Sequence, residues 1–177
     1  MGWGNGWAPA SEAGSRSDRG ATTMLTAHLP SGYVLAQGAR GTIPWLLPAA
    51  LMGAVLPDLD MIWFYLVDDR AFHHHRYWVH IPFFWMLVAA VVLMLLARRY
   101  LATGLVFFAA IFLHLLLDSI GGGIMWAAPF DDHLYTQVTV PPTQDHWVLS
   151  FLLHWTFLLE IAVWGIAMLL WRKGRAA

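Results

Sequence analysis

Two carboxylates, Asp58 and Asp60, interrupt apolar sequence of membrane length in the stretch GAVLPDLDMIW, Gly53 to Trp63. An ionised side chain near the centre of a membrane helix costs at least ~2.5 kcal/mol, so it faces a partner, a cavity or an ion. A chain that keeps two such groups must fold so as to bring them something. Apolar residues make up 59% of the 177 residues and charged ones 12%, which places the chain among integral membrane proteins. There is no cysteine, so a disulfide framework and thiolate ligation are excluded, and any metal has to be held by imidazole and carboxylate. A net charge of −1 provides no basic face for phosphate backbones and excludes nucleic acid as a partner. Nine histidines against a single lysine, Lys173, are the excess that needs explaining.

The apolar pattern predicts an all-α, polytopic transmembrane bundle with about four full spans and one short N-terminal membrane helix. Met1 to Thr23 is Gly, Ser and Ala rich without an apolar period, and reads as a disordered tail. Residues 24–177 form a single membrane-embedded domain. Its first element, from near His28 to about Gln37, is shorter than the ~20 residues a span needs. Thr42 to Val67 is divided by Pro57, which removes a backbone donor and disfavours helix at Leu56. A broken helix with a local unwinding is expected there, because two residues apart on a continuous helix Asp58 and Asp60 diverge by about 200°. Val79 to Ala97, Thr103 to Ile120 and Trp147 to Trp171 complete the spans, with an outer loop at 121–146. Arg40, Arg98, Arg99 and the Arg172 to Arg175 cluster fall at one set of helix ends, so those ends are expected to be cytoplasmic. The opposite ends then carry Asp58, Asp60, the loop Asp68 to Arg76, His80, His114, Asp118, His133, His146 and His154, and His28 with them, at one level near the outer leaflet. Tryptophans near the span ends, among them Trp45, Trp63, Trp78, Trp85, Trp126, Trp147 and Trp171, suit an interfacial aromatic belt.

His114 and Asp118 are four apart and share a helix face; an internal hydrogen bond between helices is the plain alternative to a ligand pair. In HHHRYWVH, His75 and His80 are favoured as ligands, while His73 and His74 fit a solvated loop. His28, His133 and His146 taken singly suit interfacial or surface positions. Glu160, expected deep in the last span below the cluster, reads as structural. Together the seven His and Asp residues suit a divalent ion, or two ions sharing an aspartate, with zinc favoured and manganese or iron compatible with mixed nitrogen and oxygen ligands.

The series AHLPSGY, GAVLPDLD, HHRYWVH and FLHLLLDSIGGGIMWAAPF resembles the YdjM-like family of membrane-bound, metal-dependent hydrolases over about Ala27 to Phe130. The resemblance implies metal or catalytic roles for His28, Asp58, Asp60, His75, His80, His114 and Asp118, with Arg76 beside them. It departs at Val79 and Ile81, where the family commonly has Thr and Ser, and at Met61, where a histidine often follows the aspartates. A fainter similarity to zinc-dependent phospholipase C favours phosphoesters. The resulting expectation is a hydrolase of the bacterial inner membrane, acting on a lipid or lipid-linked ester from a site on the periplasmic side, with Asp58, Asp60, Arg76 and His80 in catalysis. A metal or proton transporter and a non-catalytic membrane scaffold are the rival readings.

Overall fold

The computed structural model describes residues 26–39, 42–68 and 73–176 of the chain. The N-terminal tail expected for Met1 to Thr23, and Arg40 of the basic helix ends, lie outside them. Helix accounts for 70% of the described residues, and among them there is no strand, only an antiparallel bridge between Ile124 and Tyr135.

Helix α1, His28–Gly38, is 11 residues and begins at the predicted histidine. Pro30 is tolerated in its first turn, where backbone N–H groups have no intrahelical acceptor. Helix α2, Leu46–Val55, runs into a 3-10 turn, Leu56–Leu59, and then into α3, Asp60–Leu66. The break at Pro57 is therefore a tightening of the helix and not the unwinding expected. Two further 3-10 turns, His74–Arg76 and Trp78–His80, lead to α4, Pro82–Leu95. A turn at Arg98–Tyr100 starts α5, Leu101–Gly121. Beyond the loop at 122–146 come α6, Trp147–Leu152, and α7, Phe157–Ala176.

Two helices are long and apolar enough to cross a membrane, Leu46–Leu66 and Arg98–Gly121, fewer than the four expected from sequence. Helix α4 has only 14 residues, roughly 21 Å at 1.5 Å per residue. The last apolar stretch is broken between α6 and α7, and α7 carries Glu160, Arg172 and Lys173 within its length. Of the two long helices only 22% and 28% of the most apolar window is buried. The core helix of a soluble protein would be mostly covered; these present apolar side chains outward, as lipid-facing helices do.

Helix α2 lies against α1 on one side and α5 on the other. The α2–α5 crossing is close at Gly53, where a Cβ would run into the Phe107 carbonyl oxygen and reach 3.0 Å from the Ala110 Cβ. Small residues permit such backbone approach in membrane bundles. Trp85, Phe108, Ile111, Leu115 and Ile124 form the buried apolar cluster between α4, α5 and the loop at 122–146. That loop is packed down: Gln137 N donates to Ser119 O and Val138 N to Ile120 O, each at 2.8 Å, which satisfies carbonyls at the end of α5. Of the expected aromatic belt, Trp45, Trp63, Trp78 and Trp171 are exposed, whereas Trp85 is buried and donates to Val79 O.

Candidate metal centre

Helix α5 supplies the middle of the site. His114 and Asp118, one turn apart and both fully buried, stand with His114 Nε2 at 3.0 Å from Asp118 Oδ2. The first residue of α1 approaches the other oxygen, His28 Nε2 lying 3.1 Å from Asp118 Oδ1, with its ring stacked on His114 at 3.9 Å between centroids. The turns before α4 bring His75 Nε2 and His80 Nε2 each to 3.6 Å from Asp118 Oδ2. From the turn at Pro57, Asp58 Oδ1 reaches to 3.6 Å from His114 Nε2 and 4.0 Å from His80 Nε2. Asp60 goes elsewhere: its Oδ2 lies 2.9 Å from His80 Nδ1, on the far side of that ring. The structure thus gathers five of the other six residues around Asp118 and sets Asp60 behind His80.

Two backbone carbonyls fix the imidazoles. His114 Nδ1 meets Ala54 O and His75 Nδ1 meets Gly123 O, both at 2.8 Å. A carbonyl only accepts, so each Nδ1 carries the proton and each Nε2 faces Asp118. Pro57 explains the first contact, because it has no N–H to offer the carbonyl three residues before it, that of Ala54. Gly123 explains the second. Its φ of 76° is a left-handed conformation that glycine adopts without strain, and a Cβ there would meet Thr136 Oγ1 and, at 3.1 Å, the Leu134 Cβ.

Nine buried side-chain nitrogen and oxygen atoms among the described residues have no hydrogen-bond partner, and all belong to His28, Asp60, His75, His80, His114 and Asp118. Atoms that lie 3.0 to 3.6 Å apart without pointing at one another as donor and acceptor are aimed at a common centre instead. Buried polar groups left so cost about 1–3 kcal/mol each, and a cation removes that cost. Ligand atoms about 2.0–2.1 Å from a tetrahedral ion stand about 3.3 Å apart, within the spread seen here. The residues present therefore fit a divalent ion. Four of them, His28, Asp58, His114 and Asp118, offer ligand atoms all within 4.8 Å of one another, and so, as a second set, do His74, His75 and His80.

His74 was assigned on sequence to a solvated loop, yet its ring packs 4.2 Å from His75 and 5.5 Å from His80. Burial, reinforced by the neighbouring His75 and His80 imidazoles, pushes it down to about 2, and burial pushes His75 down to about 3. Both are neutral at pH 7, the form that binds metal. The signal available in sequence was only that three consecutive histidines precede the turn. His73 caps that turn, accepting from His75 N at 3.2 Å.

Arg76 is exposed beside the cluster. His133 and His146 are exposed, and His154 contacts Thr156 Oγ1 at 2.9 Å; none of these joins the site. Glu160 is fully buried in the first turn of α7, where its Oε2 accepts from Thr26 N at 3.0 Å and from the Thr26 hydroxyl. It is not deep below the cluster, as sequence suggested, but anchors the residue two positions before His28.

An all-helical chain with lipid-facing apolar helices and a buried His/Asp cluster at one end of its longest span is an integral membrane protein with a candidate metal centre. The YdjM inner membrane protein family matches residues 23–176, and the chain belongs to it. No curated protein and no solved structure gives a match.

Proposed function

We propose that the protein is a metal-dependent hydrolase of the bacterial inner membrane, acting on a lipid or lipid-linked ester, with a phosphoester favoured. The observation that carries this reading is the convergence of His28, His75, His80 and His114 on the buried Asp118, whose two carboxylate oxygens have no hydrogen-bond partner. His28, Asp58, His114 and Asp118 would hold a divalent ion, with His75 and His80 adjoining; zinc is favoured, and manganese or iron suit the same donors. When bound, such an ion supplies Lewis acidity and a water activated near neutral pH.

The chain's own groups divide the remaining work. Asp58 is the carboxylate open to the surface, 29% exposed against 6% for Asp60 and none for Asp118; it meets substrate and takes up a proton there. Asp60 orients His80 through Nδ1. Arg76, exposed beside His75, offers a planar fork to a phosphate. Access from the periplasmic side is supported by α5, whose N-terminal end follows Arg98 and Arg99 while His114 and Asp118 sit near its other end, as the positive-inside rule orients such a helix. In this reading α4 and α7 complete the four spans and α1 enters only part-way.

The test is incubation of metal-loaded protein with a panel of membrane phospholipids and lipid-linked phosphates. Release of headgroup or phosphate, abolished by chelator and lowered at least ~10²-fold in Asp58→Asn, is the expected result. Folded, metal-loaded protein that moves metal into vesicles and hydrolyses nothing on the panel would overturn the reading in favour of transport.

A further inference from the structure

Asp118 lies between two sets of ligands. Its Oδ1 faces His28 at 3.1 Å, while its Oδ2 faces His114 at 3.0 Å and both His75 and His80 at 3.6 Å. One set is His28, Asp58 and His114 with Asp118 itself, the other His74, His75 and His80; within each set the ligand atoms lie within 4.8 Å of one another, and Asp118 Oδ2 reaches into both. We infer that the centre is dinuclear, that His74, His75 and His80 form a second cation site of three imidazoles, and that Asp118 is the carboxylate shared by the two ions.

Three features carry this beyond a single-ion site. The first is the count of donors. His28, Asp58, His114 and Asp118 already make four, which completes a tetrahedral ion, yet His75 and His80 remain with partnerless buried nitrogens. The second is orientation: His75 is fully buried and holds Gly123 O through Nδ1, so its Nε2 is committed inward as a lone pair. The third is packing. Three imidazoles packed within 4.2 to 5.5 Å of one another gather the nitrogen donors of a borderline site suited to zinc, copper, iron or nickel. A carboxylate between two ions is the arrangement by which paired metals clamp an oxygen substrate. The inference rests on the proposed metal centre but not on hydrolysis.

The experiment is a cobalt(II) titration of the full chain in detergent, followed by d–d absorption, with the bound metal counted after gel filtration. Wild type is expected to saturate at two equivalents and His74→Gln at one, with helical content by circular dichroism unchanged. His74→Cys, which returns a ligand at the same position, is expected to restore the second equivalent and add a thiolate-to-cobalt charge-transfer band that a structural role for residue 74 would not produce. Saturation of wild type at one equivalent, or the absence of a thiolate band in a folded His74→Cys variant, would overturn the inference. Two equivalents without turnover of any lipid would leave it standing and remove the hydrolase reading; one equivalent with metal-dependent turnover would do the reverse.

Discussion

Asp60 and Asp58, two residues apart in LPDLD, have different surroundings. Asp58 faces His114 and His80 Nε2, whereas Asp60 touches His80 at Nδ1, the position of a carboxylate that orients a metal-binding imidazole. Asp60→Asn is expected to lower metal affinity by about 10- to 100-fold without changing the stoichiometry, as measured by competition with a chromophoric chelator. A pH dependence follows from His74 and His75, which burial holds below the ordinary histidine range. As pH falls through about 6.5 the unfolded chain takes up protons at these positions and the folded chain does not, until about pH 3. Stability of the metal-free protein is therefore full above that range and is lost as pH drops, by up to about 1.4 kcal/mol per unit for each group; thermal unfolding in detergent at pH 7 and pH 5 checks it. That His114 and Asp118 share a helix face was legible from their spacing, and that His28, Asp58, His75 and His80 lie at the same level from the alternating direction of the helices. That Asp60 stands behind His80, and that His74 packs against His75, was not: a difference of one residue in a 3-10 turn decides each, and no periodicity encodes it.

At the scale of elements, proline and glycine position the ligands. Pro57 leaves the Ala54 carbonyl available for His114, and Gly123 turns its carbonyl to His75. The predicted break at Pro57 was legible, because a missing N–H is a property of the residue itself. Its form, a tightened turn in place of an extended one, depends on α2 packing against α5 and could not be read locally. Gly123→Ala would impose a left-handed conformation at a cost of about 1–2 kcal/mol and loosen His75, lowering both the unfolding temperature and metal affinity. Gly53→Ala should weaken the α2–α5 crossing by about 1–3 kcal/mol through overpacking, seen as a lower midpoint of thermal unfolding in detergent. Gly123 makes an internal contact with His75 that no pattern in the sequence announces.

For the whole molecule, apolar composition was enough to place the chain in a membrane but not to count its crossings. Apolar runs of similar appearance became two long helices, a 14-residue helix and a stretch broken into α6 and α7, because charges and helix breaks within a run set its usable length. Since α1, the turn at Pro57, α5 and the turns before α4 would each contribute a ligand, an ion bound by the folded chain adds to its stability as a whole. With free metal at a hundredfold over Kd the gain is about 2.7 kcal/mol, so chelation should lower the unfolding temperature and re-addition of zinc should restore it. The central claim, that the buried cluster around Asp118 is a metal centre, is tested most directly by elemental analysis of protein purified from membranes beside Asp118→Asn. The account predicts stoichiometric divalent metal in wild type and a clear deficit in a folded Asp118→Asn variant. Well-folded wild type that carries no stoichiometric metal even after supplementation would contradict it.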